Sequence, residues 1–301
     1  ASSTITARPG ETQTAIKRVL EKKFVELGGH EWLGSITRHI VQIARALPDF
    51  AVEIVDVVFR QSGDRDAPVP MGTGRILSLT TNTHDMFSMA KRSVSEAYKA
   101  IWEHDPVTAT RIMIKVVEIT VETEHPHTNP KDRIRKFAFR GKSATIIPDG
   151  SVIWSEGDYN RHEDWHKILE KFKVGVQNLA SDPNQHQQLD KVLNVLSSDA
   201  KHAIIWKSIL EAAADAPTTF GPFTYELLAS PFVISHTDTR FQAGRLIESC
   251  FSMLDTKSQD ALEGAVVALY ESTDDENPEY IQHRADRVLC CIPSHLIRSS
   301  T

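Results

Sequence analysis

Apolar residues recur at three- and four-residue steps through most of the chain, the period of an amphipathic helix. Ile16, Val19, Leu20, Phe24 and Leu27 mark a helix from Glu11 to Leu27, closed by Gly28-Gly29. Trp32, Leu33, Ile36, Ile40, Ile43 and Leu47 continue the pattern to Pro48. Pro48-Asp49 opens a third helix with Phe50, Ile54, Val57 and Val58, the proline being tolerated in a first turn. After a loop at Ser62–Gly74, Thr83 begins a helix reaching about Glu103, with Ala90, Val94, Ala97, Ile101 and Trp102 inward. Asp105-Pro106 opens the next, on which Ile112, Val116 and Ile119 share a stripe. Its β-branched run Ile112–Val121 would also suit a strand, but the helical spacing holds across the whole window.

The period breaks once, between His125 and His166. Lys136–Arg140, Ser143–Ile147 and Ser151–Ser155 read as three short strands of a meander. Gly141-Lys142 forms the first hairpin loop and Pro148-Asp149-Gly150 a type I turn with a following glycine. A meander of this size is not stable alone and is expected to lie against helices.

The helical period then resumes. Trp165, Ile168, Leu169, Phe172, Val176 and Leu179 form one helix, Leu189, Val192, Leu193 and Leu196 the next, and Ile205, Ile209, Leu210 and Ala213 a third that stops at Pro217. A shorter helix is expected over Phe220–Leu228. Phe241, Leu246, Cys250, Phe251 and Leu254 are followed by Leu262, Ala265, Val266 and Leu269. The acidic linker Asp274–Pro278 leads to a last helix with Ile281, Ala285, Val288 and Leu289. Trp102, Trp165, Trp206, Phe172, Leu193, Ile209, Phe251 and Leu269 are the expected core.

Roughly a dozen helices with short links predict an all-α fold. Pro48–Ala51 and Asp105–Ala109 open similar Ile/Val-rich second helices, and Ala-rich second helices recur at Ala203–Ala216 and Ala261–Ala268. This points to a HEAT/armadillo-like α-solenoid of degenerate pairs, about 40 residues each, with a small inserted β-meander. A compact bundle is the competing arrangement. The expected divisions are residues 1–124, helical pairs; 125–160, the insert; and 161–301, further pairs in one array.

Composition narrows the setting. Hydrophobic residues are 41% and charged residues 25%, ordinary for a globular protein, and the net charge of -6 opposes general nucleic-acid binding. Cys250, Cys290 and Cys291 do not suit a disulfide framework, which places the chain in a reducing, cytoplasmic setting. Cys290 and Cys291 fall on the apolar side of the last helix and read as core. No apolar run reaches the roughly 18 residues of a membrane span. The polar start at Ala1 and the stop soon after an apolar run suggest a segment of a longer protein.

Three stretches carry candidate chemistry. His162-Glu163-Asp164-Trp165-His166 matches the His-Glu-x-x-His string that places two imidazoles on a helix face to hold zinc, with the Glu as base. Its surroundings are charged, and the alternative is a helix start with Glu163 and Asp164 favourable to the dipole. His125-Pro126-His127 reads as a surface turn, and Gly72-x-Gly74 lacks the preceding strand and following Lys-Ser/Thr of a phosphate loop. The third is the insert's cation run, Lys131, Arg133, Arg135, Lys136, Arg140 and Lys142, around Phe137 and Phe139. Cations among aromatics suit single-stranded nucleic acid; the alternative packs both Phe rings inward beneath a solvated face.

The pairs, the Ile147-Pro148-Asp149-Gly150-Ser151-Val152-Ile153-Trp154 segment and the charged helix from His162 together resemble the helical-repeat regions of large bacterial STAND-type signalling ATPases, several of which act in antiphage defence. The resemblance rests on Ile147–Val176 and the helical texture, and this chain carries no nucleotide-binding motif of that family. It implies a sensing or assembly role without catalysis.

The reading is therefore a non-enzymatic binding segment without cofactor. Its expected partner is a macromolecule, a protein in preference to nucleic acid, and no membrane. The recognition residues would be Arg133, Arg135, Lys136, Arg140 and Lys142, with Trp154 and Tyr159 as anchors. The rivals are a zinc hydrolase using His162, Glu163 and His166, and nucleic-acid binding through the basic insert.

Overall fold

The computed structural model describes residues 5, 7–21, 30–61, 83–126, 134–155, 162–271 and 278–293. The Gly72-x-Gly74 loop, Lys131, Arg133, Tyr159 and the linker at 274–277 lie outside them. The described residues are mostly helical: fourteen α-helices and one two-stranded sheet. No described helix is long and apolar enough to cross a membrane.

The chain forms two compact units, residues 1–124 with 162–171, and residues 125–161 with 172–301. In the first are helices α1 (Pro9–Leu20), α2 (His30–Thr37), α3 (Ile40–Ala46), α4 (Pro48–Arg60), α5 (Thr83–His104) and α6 (Pro106–Glu124); the run expected from Trp32 to Leu47 is divided between α2 and α3, and Trp32 is exposed. The link between α5 and α6 is a single residue. Asp105 is also the cap, its carboxylate accepting from Val107 N at 3.0 Å and from the Thr108 hydroxyl at 2.5 Å. Against the β-branched alternative, Ile112–Val121 is helical throughout, with Ile112, Val116, Val117 and Ile119 buried.

Helix α5 packs on α2, α3, α4 and α6, and α4 packs on α6. Two ion pairs fix the direction of that last contact. Arg111 Nη1 meets Asp49 Oδ1 at 2.9 Å, and Arg60 Nη1 meets Glu122 Oε2 at 2.9 Å. Both pairs span 62 residues of sequence. A constant offset at both ends means that α4 and α6 run parallel.

The second unit begins with a hairpin, β1 (Arg135–Phe139) and β2 (Lys142–Ile146), antiparallel with Phe139 opposite Lys142. The loop is thus Arg140-Gly141, one residue earlier than the expected Gly141-Lys142. Both loop residues have positive φ, 55° and 68°, the type I′ geometry that matches strand twist. Phe137 and Phe139 are buried edge-on against Trp206, with ring centroids 5.0 and 5.6 Å apart.

The third expected strand is not one. Ser151–Trp154 is a helical turn, α7, entered through Gly150 at φ 68°. Beyond it lie α8 (Asp164–Ser181), whose first half groups with the first unit, α9 (His186–Asp199) and α10 (Ala203–Asp215). Then come α11 (Pro231–Ser235), α12 (Arg240–Cys250), α13 (Thr256–Tyr270) and α14 (Pro278–Leu289). The helix expected over Phe220–Leu228 is replaced by two 3-10 turns, Gly221–Phe223 and Tyr225–Ala229. All eight expected core residues are buried. Phe241 is not inward: it is 66% exposed on α12.

Candidate functional site

The metal string straddles a helix boundary. Helix α8 starts at Asp164, so His162 and Glu163 precede it and only His166 lies in its first turn. His166 Nε2 faces Glu170 Oε1 at 3.8 Å. Glu163 and Asp164 lie within electrostatic reach of Lys91; burial lowers its pKa and the nearby carboxylates partly restore it. Among the described residues no group of three or more His, Cys, Asp or Glu converges to hold a metal ion.

The hairpin cations turn largely onto their own unit. The Arg140 guanidinium pairs with Asp190 of α9, and its backbone N–H donates to Glu226 Oε2 at 2.7 Å. Lys142 Nζ donates to the Ser198 hydroxyl at 3.0 Å and reaches Asn194 O at 3.4 Å. Arg135 lies 5.8 Å from the Phe232 ring centre, and Lys136 is exposed. Trp154 stacks on His125 at 3.9 Å and donates through Nε1 to Asp149 O. The structure thus brings Arg140 and Lys142 together along α9, while Phe137 and Phe139 are shut away from any base.

What the segment 147–155 does is hold a wall. Asp238, from the turn between α11 and α12, accepts the backbone N–H groups of Asp149, Gly150 and Val152, each at 3.2 Å. Asp149 accepts from Ser151 N at 3.0 Å and from Ile204 N, at the start of α10, at 2.9 Å. Both carboxylates are buried, and desolvation, resisted by these bonds and reinforced by Asp238, pushes Asp149 up to about 6. Ile147 adds a short parallel bridge to His202, and Lys207 Nζ donates to the Ser155 hydroxyl at 2.9 Å.

Val152, fixed by this node, lines a cavity of about 420 Å³ with Ile234, Ser235 and Thr237. The remaining lining comes mainly from α12 and α14 and includes four arginines, Arg240, Arg245, Arg284 and Arg287. Positions 240, 244 and 248 form one row of α12 and 241 and 245 the next, at the i, i+4 spacing that shares a face. Arg284 and Arg287 share a face of α14 in the same way. Arg245 is oriented by Gln242 Oε1 at 3.0 Å and Asp215 Oδ1 at 2.8 Å. Gly244 leaves room: a Cβ there would stand 3.1 Å from Cys291 Sγ.

Glu248 is the one carboxylate among the described lining residues. Beside it Cys291 is pushed up to about 11, by burial first and by Glu248 second, so its thiol stays protonated at neutral pH. Cys291 therefore lines a cavity and Cys290 is exposed, where the sequence pattern placed both in the core. The reason is that α14 ends at Leu289, so the apolar stripe does not continue through the pair.

The wall is rich in positive charge that is partly compensated within the protein, since Arg245 pairs with Asp215 and Glu248 lines the same cavity. The site has no signature in the sequence because its arginines sit on two helices some 40 residues apart, without motif spacing. The signals present were Arg284-x-x-Arg287 on one helical face and Arg240-Phe241 ahead of Gly244. No protein-family model, no curated protein and no solved structure matches the chain.

Proposed function

We propose that this chain is a non-enzymatic, helical-repeat binding module whose receptor is the arginine-lined cavity. The observation that carries the reading is the convergence of Arg240, Arg245, Arg284 and Arg287 on one cavity of about 420 Å³, within the usual range for ligand sites. The protonated Cys291 thiol fits binding better than nucleophilic chemistry.

The stacked-pair architecture is part of the same proposal. The pair α3–α4 is followed by α5–α6, first helix touching first and second touching second, with the second helices parallel. Such stacking supports a HEAT-like reading, in which the matched openings at Pro48 and Pro106 would be equivalent positions. In this reading the module is the sensing part of a longer cytoplasmic signalling protein, of the kind the STAND-type resemblance implies. Anion binding in the cavity would be reported to the rest of the parent chain or to a protein partner.

Calorimetric titration of the full chain with inorganic pyrophosphate tests it. Binding is expected in the wild type and a loss of at least tenfold in Arg240→Glu/Arg287→Glu, with an unchanged circular dichroism spectrum. Equal binding by the double variant overturns the cavity as receptor. Stoichiometric zinc in untagged protein, lost on His162→Ala and His166→Ala, would favour the hydrolase instead.

A further inference from the structure

Resting on that reading of the cavity, we propose that its ligand is a nucleoside mono- or diphosphate, with the phosphate among the arginines and the base on Phe241. Three features of the wall point the same way, each through a different chemistry.

The first is the number of guanidinium groups. Each is a planar fork that matches two oxygens of a phosphate or carboxylate. Arg245 is already held by Asp215 and Gln242, but Arg240 and Arg287, each a fork for two oxygens, together exceed what a single carboxylate's two oxygens can engage, whereas a phosphate or diphosphate has enough acceptors. The second is size, since about 420 Å³ is far more than an inorganic phosphate fills. The anion therefore belongs to a larger molecule.

The third is what flanks the arginines. Phe241 lies beside Arg240 and one turn before Arg245, and its ring is 66% exposed; no other described phenylalanine is among the exposed large apolar side chains. A solvent-facing ring next to phosphate-binding guanidiniums is the pairing by which proteins hold a base and its phosphate at once. Glu248 stands seven residues further along α12, about 10 Å by helical rise. Its carboxylate can accept from hydroxyl groups, as can the oxygen of the cavity-lining Thr237. Anion, planar ring and hydroxyl-bearing linker are the three parts of a nucleotide.

The test compares pyrophosphate with the four common nucleoside diphosphates by calorimetry on the full chain. Wild type should bind at least one nucleoside diphosphate about tenfold more tightly than pyrophosphate. Phe241→Ala should lose that increment while keeping pyrophosphate affinity, and Phe241→Trp should retain it. Arg240→Glu/Arg287→Glu should lose both ligands. If pyrophosphate binds but no nucleoside increases affinity, or Phe241→Ala keeps the increment, the nucleotide assignment is overturned and the anion receptor survives. If only a polyglutamate peptide binds, the assignment is likewise overturned. If no anion binds, the receptor reading falls with it.

Discussion

The carboxylate of Asp238 accepts the backbone N–H of Asp149 from 89 residues away, at 3.2 Å, with neither residue more than 4% exposed. The same carboxylate takes the N–H groups of Gly150 and Val152, so one side chain satisfies three donors of a turn that has no ladder of its own. Asp238→Ala should therefore destabilise the protein by about 3 kcal/mol, since buried donors left unpaired cost 1–3 kcal/mol each and water can replace only some. Asp238→Asn keeps one acceptor and should cost about half as much. Urea unfolding measures both; a change below about 1 kcal/mol in the alanine variant would show that the node is not a stability element.

The node also sets a pH dependence. Asp149 titrates near 6 in the folded protein, above its ordinary 3.8. The folded state then binds more protons than the unfolded one between those values, so stability is full below pH 3.8 and falls as pH rises through 6. The loss is about 3 kcal/mol, taking 1.36 kcal/mol per pKa unit. Against wild type, Asp149→Asn should show a flatter stability profile from pH 4 to 7, whatever its absolute stability. Parallel profiles would remove Asp149 as the titrating group.

Arg140 occupies the left-handed region at φ 55°, where a side chain costs about 1–2 kcal/mol. Comparing Arg140→Gly with Arg140→Ala separates that strain from the lost pairing with Asp190. Both variants lose the guanidinium, and glycine alone relieves the backbone. The glycine variant should be the more stable by about 1 kcal/mol in thermal or urea unfolding. Equal stabilities would mean that the loop re-forms with another geometry.

The Tyr98 hydroxyl is fully buried and has no hydrogen-bond partner among the described residues, and burial pushes its pKa well above the usual 10. A hydroxyl in that position costs desolvation without a compensating bond. Tyr98→Phe should be neutral or stabilising, by up to about 1 kcal/mol in urea unfolding, although it removes an atom from a packed core. A loss above 1 kcal/mol would reveal a bond to a buried water.

Most of the helices were legible because burying an apolar stripe requires the 3.6-residue period, and Leu193, Ile209 and Phe251 obey it. The turn at Ser151–Trp154 was not. Val152-Ile153-Trp154 carries strand-like residues, yet its backbone donors are captured by Asp238, and Ile153 ends 82% exposed. A local propensity was overridden by a carboxylate distant in sequence. Arg140 and Lys142 were legible as cations but not as partners of α9, because their pairing with Asp190 and Ser198 depends on tertiary packing. The arginine cavity combines residues from α12, α14 and the turn before α12, so no window of sequence contains it.

The node and the Trp206 packing have a temporal consequence during synthesis. The Trp206 indole, which closes over Phe137 and Phe139, donates to Thr145 O from 61 residues further along, and Asp238 follows Asp149 by 89. At roughly 5–20 residues per second of translation, these anchors emerge about 3–12 s and 4–18 s after the segments they hold. Throughout that interval the two phenylalanines belong to an isolated two-stranded ribbon, which is marginal in water. The hairpin is completed only when α10 has been made, and the 149–152 turn only when the turn before α12 has followed.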